Sequence, residues 1–132
     1  MKKLIRAAMK ARERAQAPYS RFKVGAALEA EGGRVFTGCN VENASFGATC
    51  CAERTALFKA ISEGKKKFRR IAIVAATEKP CPPCGICRQA LYEFSPDLEV
   101  VMANTRGKAL VMKLSELLPV GFRERGLGKK RP

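Results

Sequence analysis

Cysteine and glutamate recur in this sequence at spacings that suit metal-assisted acid–base chemistry. Two short patterns each set a cysteine where a helix should begin: Cys51-Ala52-Glu53 and Pro83-Cys84-Gly85-Ile86-Cys87. A helix N-terminus carries partial positive charge and unpaired N–H groups, so a thiol there is stabilised as the thiolate, the form that binds metal. Cys84 and Cys87 are three apart on a first helical turn, so both sulfurs can face one ion, and Cys51 from another helix would make three ligands. A catalytic zinc site uses three protein ligands and leaves a fourth position to water, whereas a structural site closes with four. Glu53 is placed to reach that open position without filling it, where a general base is needed. Three thiolates outweigh the charge of Zn²⁺. Arg54 and Arg88, each directly following a motif residue, could offset the excess, and at least one of them is expected to hydrogen-bond a ligand sulfur.

Other readings of these cysteines stay open on spacing alone. A C-x-x-C pair also serves as half of a structural zinc site or as a redox couple. A second such pair, Cys81-Pro82-Pro83-Cys84, overlaps the first. Its prolines hold Cys81 in extended backbone, which favours Cys84 and Cys87 as ligands, but Cys81 could still close the site as a fourth. Cys39 and Cys50 read most simply as small core residues.

Composition narrows the chemistry further. The 132 residues include no histidine, so Ser-His-Asp triads, Cys-His nucleophile pairs and His-ligated metals are excluded. Proton transfer falls to Glu, Asp, Lys, Tyr or Cys. Hydrophobic residues make up 46% and charged residues 29%, as in a folded protein, and the length suits a single domain over 1–132. The longest uncharged stretch, Asn43 to Ala52, is ten residues, well short of the ~20 that span a bilayer. Charges at Arg6, Lys10, Arg12 and Arg14 interrupt any signal-peptide core. A cytoplasmic protein is expected, in which six cysteines point to metal or thiol chemistry rather than disulfides.

The elements that must position these residues follow from hydrophobic period. Residues 2–16 pattern as an amphipathic helix that Ala17-Pro18 stops. Phe22, Val24, Ala26 and Leu28 alternate as a strand, Glu31-Gly32-Gly33 turns, and Arg34 to Gly38 returns antiparallel. Cys51 to Ser62 has helical composition and ends near Gly64. The apolar run Ile71 to Ala76 fits a central strand buried on both faces. A helix opens in the Pro80 to Cys87 cluster and runs to about Phe94. Strands at Leu98–Met102 and Ala109–Met112 follow, then a short helix at Ser115–Leu118 and a basic, flexible tail from about residue 124. Alternation of this kind predicts an α/β fold: a three-layer α/β/α sandwich around a mixed sheet of about five strands.

At the motif residues the sequence resembles the cytidine deaminase family, specifically its short, homotetrameric nucleoside type. The resemblance runs from Ala17-Pro18-Tyr19-Ser20-Arg21-Phe22 to Leu28, through Gly38-Cys39-Asn40-Val41-Glu42-Asn43-Ala44, the two cysteine motifs with Arg88-Gln89, and Glu116 to Pro119. It implies hydrolytic deamination of cytidine and 2′-deoxycytidine to the uridines, with ammonia released, in pyrimidine salvage. It further implies one Zn²⁺ per chain on Cys51, Cys84 and Cys87, with Glu53 carrying protons from water to the ring and the departing amine. Phe22, Asn40 and Glu42 would line the nucleoside pocket, and Ala44, Phe46 and Phe122 would complete the pockets of neighbouring subunits in a homotetramer. Cysteine rather than histidine at the first motif points to free nucleosides and away from polynucleotide substrates. By itself Asn40-Val41-Glu42-Asn43 would read as a polar turn.

The formal charge of +14, from 26 Lys plus Arg against 12 Asp plus Glu, supports a competing class: a nucleic-acid binder with structural zinc. Its basic runs, such as Lys65-Lys66-Lys67, lack interleaved aromatics for base stacking. Non-specific binding at low salt is the expectation on that side.

Overall fold

A computed structural model describes residues 1–124; the basic tail expected from about residue 124 lies outside the described residues beyond Glu124. Helix α1 (Lys2–Arg12) leads into a hairpin of β1 (Val24–Ala30) and β2 (Val35–Cys39). Then come α2 (Ala52–Ser62), β3 (Phe68–Ala75), α3 (Gly85–Tyr92), β4 (Glu99–Asn104), β5 (Ala109–Lys113) and the short α4 (Leu114–Leu117). The five strands form one mixed sheet in the order β2-β1-β3-β4-β5, with β3 at its centre. β1 is antiparallel to both neighbours, β3 and β4 are parallel, and β5 returns antiparallel. The architecture is the three-layer sandwich that the alternation of elements predicts.

The layers are built from strand alternation. Ala26, Leu28, Ile71, Ile73, Val100 and Met102 face α2 and α3 and pack with Ala56, Leu57, Ala60 and Leu91. The intervening residues Ala27, Ala72, Val74, Val101 and Ala103 face the other way, where Leu4 and Ala8 of α1 cover them. Burying each large side chain of this kind stabilises the fold by roughly 1.5–3 kcal/mol. Two strand glycines set how closely the helices approach. A Cβ on Gly25 would stand 1.9 Å from the Ala8 carbonyl oxygen of α1, and one on Gly38 would stand 2.5 Å from the Ala56 nitrogen of α2.

The ends of several elements differ from their predicted limits for physical reasons. α1 stops at Arg12 rather than 16, because the N–H groups of Glu13, Arg14 and Ala15 bond carbonyls three residues back in a tightened last turn. β1 starts at Val24 rather than Phe22, because the Asn40 side chain takes the backbone pairing there. α3 begins only at Gly85, and β3 extends back to Phe68, whose N–H bonds the Ser95 hydroxyl.

Candidate active site

β1 runs antiparallel to both β2 and β3, so β2 and β3 point the same way. The helices that follow them, α2 and α3, therefore both start at the carboxyl end of these strands, which is where α/β sheets place their ligands. Cys51 is the N-cap of α2 and Cys84 the N-cap of α3, both in extended backbone. Cys87 lies on the first turn of α3. The three sulfurs converge: Cys51 Sγ is 3.8 Å from Cys84 Sγ, Cys84 Sγ is 3.4 Å from Cys87 Sγ, and all three lie within 4.8 Å of one another. Tetrahedral ligands at the usual Zn–S distance of ~2.3 Å would be ~3.8 Å apart, so the donor set fits a zinc ion. Cys81, the candidate fourth ligand, is not part of this group; its thiol bonds the Pro82 carbonyl at 3.7 Å.

Electrostatics sharpen the picture. Hydrogen bonds from Cys87 and Arg54 draw the Cys51 thiol down to about 5, against opposition from burial. Cys87 is pushed up, first by giving its proton to Cys51 and then by burial. Arg54 Nη2 donates to Cys51 Sγ at 3.2 Å, and the sulfur's charge raises the guanidinium's affinity for its proton. Arg54 thus meets the expectation that at least one of the two arginines reaches a ligand sulfur, while Arg88 turns elsewhere. Its Nε donates to the Pro83 carbonyl at 2.9 Å and its Nη1 to the Leu117 carbonyl at 2.7 Å, tying the start of α3 to the end of α4. A planar guanidinium fork reaches the two carbonyls at once.

Glu53, the second residue of α2, is 4% exposed. Burial raises its carboxyl to about 7, partly opposed by its own backbone N–H and reinforced by the charge on Cys51. A group poised near neutrality can both take and return a proton. Cys81 stands close enough to Glu53 that burial and this carboxylate together raise its thiol, which keeps it protonated.

The remaining predicted residues lie outside the main helices and strands; of these, Glu42 and Phe46 share one surface pocket with Tyr19 and Ser20. Asn40 is buried, accepts from Val24 N–H at 2.9 Å and donates to the Phe22 carbonyl at 2.7 Å, so it fixes the segment carrying Phe22. One amide hydrogen of Asn40 remains after these bonds. Glu42 Oε1 accepts from the backbone of Tyr19 and Ser20 at 2.9 and 3.0 Å, and its Oε2 accepts from the Ser20 hydroxyl. Those bonds, the Ser20 hydroxyl first, hold its carboxyl below the usual range. Val41 and Cys50 exchange two backbone bonds and close a loop that presents Ala44 and Phe46 outward. Phe46 meets Tyr19 edge-on at 5.8 Å yet stays 75% exposed. Phe122 is 65% exposed; Gln89 Nε2 donates to its carbonyl at 2.9 Å, so α3 anchors its backbone. Sequence reasoning missed Ser20, whose role has no motif of its own. It also missed Gly25 and Gly38, which glycine within a strand would have marked as close-approach positions.

A three-layer α/β scaffold that brings three thiolates and one buried carboxylate to two helix starts defines a zinc hydrolase of the deaminase type. The sequence model described as "Cytidine and deoxycytidylate deaminase zinc-binding region" matches residues 1–104. The chain is 54% identical over 120 residues to a cytidine deaminase of Halalkalibacterium halodurans, covering 90% of this chain and 91% of the relative. It is 47% identical over 128 residues to one of Sporosarcina psychrophila, covering 96% and 94%. Among solved structures, the cytidine deaminase of Burkholderia pseudomallei superposes with a TM-score of 0.89 at 53% identity, covering 92% of this chain and 98% of that one. This chain belongs to the cytidine deaminase family. Among the described residues, no helix is long and apolar enough to cross a membrane.

Proposed function

We propose that residues 1–132 form one deaminase domain that hydrolyses cytidine and 2′-deoxycytidine to uridine and 2′-deoxyuridine with release of ammonia, a pyrimidine-salvage reaction of the cytoplasm. The observation that carries this is the buried carboxylate of Glu53 on the first turn of the helix whose N-cap thiol joins Cys84 and Cys87 at zinc spacing. Cys51, Cys84 and Cys87 would hold one Zn²⁺, which when bound would supply the Lewis acidity that makes water a nucleophile at neutral pH. Glu53 would take one proton from the attacking water and hand it to N3 of the base, then carry the proton of the new C4 hydroxyl to the amine as it leaves, so that C4 ends as a carbonyl. Its burial excludes competing solvent and keeps its proton affinity suited to both directions. Arg54 steadies the Cys51 thiolate. Phe22 packs on the base, while the spare donor of Asn40 and the carboxylate of Glu42 grip ribose hydroxyls.

The exposed rings of Phe46 and Phe122, anchored through backbone bonds yet uncovered, support a homotetramer in which they and Ala44 complete the pockets of neighbouring subunits. Six free thiols suit a reducing compartment. The test is the Glu53→Gln variant, assayed by cytidine absorbance with metal content and light scattering alongside. Retained zinc and tetramer with turnover lost is the expected result. Turnover at the wild-type rate overturns the role of Glu53.

A further inference from the structure

One cavity that shares no lining residue with the thiol cluster gathers three cationic side chains. A groove of about 390 Å³ lies across the free edge of β2, walled by α1 on one side and α2 on the other. Lys10 enters it from α1 and Arg14 from the turn just after that helix, Lys59 enters from α2, and Thr37, Cys39 and Thr55 also line it. No carboxylate lines the groove, and none of its three cations joins an ion pair among the described residues. Three uncompensated positive charges around one concavity focus the field there and raise the local concentration of anions.

The groove is preorganised as well as charged. Lys59 Nζ donates to the Thr37 carbonyl at 2.5 Å, which holds the ammonium over the strand edge and leaves two of its protons free. Because that carbonyl points out of the sheet, the N–H of Thr37 points out on the same edge, where no further strand takes it. Outward N–H, hydroxyl and cationic donors thus converge, and each is a natural partner for phosphate oxygens. A single carboxylate would satisfy only one of the three cations. No aromatic side chain lines the groove, so it offers no platform for the stacked bases of a nucleic acid.

We propose that this α1–α2 groove binds a small polyphosphate-bearing ligand, whether free polyphosphate or a nucleoside triphosphate, at a site separate from the deaminase pocket. Thr55 links the two places: it lines the groove, and its hydroxyl donates to the Cys51 carbonyl at 3.1 Å on the opposite end of the same helical turn. The inference rests on the groove alone and does not depend on the identity of the reaction.

Calorimetric titration of the full chain with sodium tripolyphosphate at physiological salt tests it, with CTP, ATP and a 12-mer RNA as parallel arms. Saturable 1:1 binding per chain is expected, weakened about tenfold or more in Lys10→Ala/Arg14→Ala and within about twofold of wild type in Lys65→Ala/Lys66→Ala. Tighter binding of CTP or ATP than of tripolyphosphate identifies a nucleotide as the source; equal binding identifies the free polyphosphate. Tripolyphosphate should also slow alkylation of Cys39, read by peptide mass spectrometry, without slowing that of Cys81, and should not compete with cytidine. The inference is overturned by absence of saturable binding, by equal loss in both double variants, by competition with cytidine, or by RNA binding more tightly than every small polyphosphate.

Discussion

Replacing Gly38 by alanine isolates what the approach of α2 to the sheet contributes to the site. The new Cβ would lie 2.5 Å from the Ala56 nitrogen and 2.6 Å from the Ala52 carbonyl oxygen, both backbone atoms of α2. Restoring ordinary contact near ~3.5 Å requires α2 to withdraw by roughly 1 Å. Zinc sites hold their ligand distances to about 0.2 Å, so a withdrawal of that size pulls Cys51 out of register with Cys84 and Cys87. The same movement carries Glu53 with it, and a misplacement of ~1 Å can reduce catalysis by about 10²-fold. Overpacking also costs about 1–3 kcal/mol of stability. Gly25→Ala is the matched control. It clashes harder, 1.9 Å from the Ala8 carbonyl oxygen, but against α1, which carries no thiol of the cluster. Both variants should unfold at lower temperature by calorimetry, while chelator competition should show weakened zinc retention only in Gly38→Ala. The reasoning fails if Gly38→Ala, assayed where it is fully folded, retains zinc and cytidine turnover as well as Gly25→Ala does.

Three further outcomes are expected. Arg54→Ala removes the donor to Cys51 Sγ and should lower zinc affinity by about 10–100-fold in a chelator titration, with little change in global fold. Asn104, fully buried, donates to the Glu78 carbonyl and accepts from the N–H groups of Arg106 and Lys108. Asn104→Ala should therefore destabilise by about 2–3 kcal/mol in urea unfolding, leaving activity per folded molecule intact. Because the Ser20 hydroxyl holds the Glu42 carboxyl below its usual range, nucleoside affinity should persist as pH falls through that range and be lost only below it. Ser20→Ala should move the acid limb of the binding profile upward, and an unchanged limb would refute the coupling.

How far the sequence anticipates the molecule depends on whether the signal is local. The thiol set was legible because helix starts and metal spacing both leave short-range marks at Cys51, Cys84 and Cys87. The central strand was legible because an uninterrupted apolar run has few other fates. Arg88 misled because adjacency along the chain says nothing about rotamer: its side chain turns back to Pro83 and across to Leu117, a distance of 29 residues. The start of β1 misled because Phe22 continues the alternation, whereas a side chain 18 residues away decides where pairing begins. The role of Ser20 was hidden for the same reason, since Glu42 reaches it only across the folded loops.

The parallel course of β2 and β3 makes the site a pair of related halves. Each strand leads through a loop to a helix capped by cysteine, and the two helices carry different chemistry just inside that cap. In α2 the second residue is the buried carboxyl group Glu53; in α3 the third is Cys87, the third thiol of the cluster. The carboxyl group and the thiols are thus shared between two short helical starts, while the sheet beneath holds them in register. Chemistry on such a scaffold can be rewritten one turn at a time without disturbing the core that supports it.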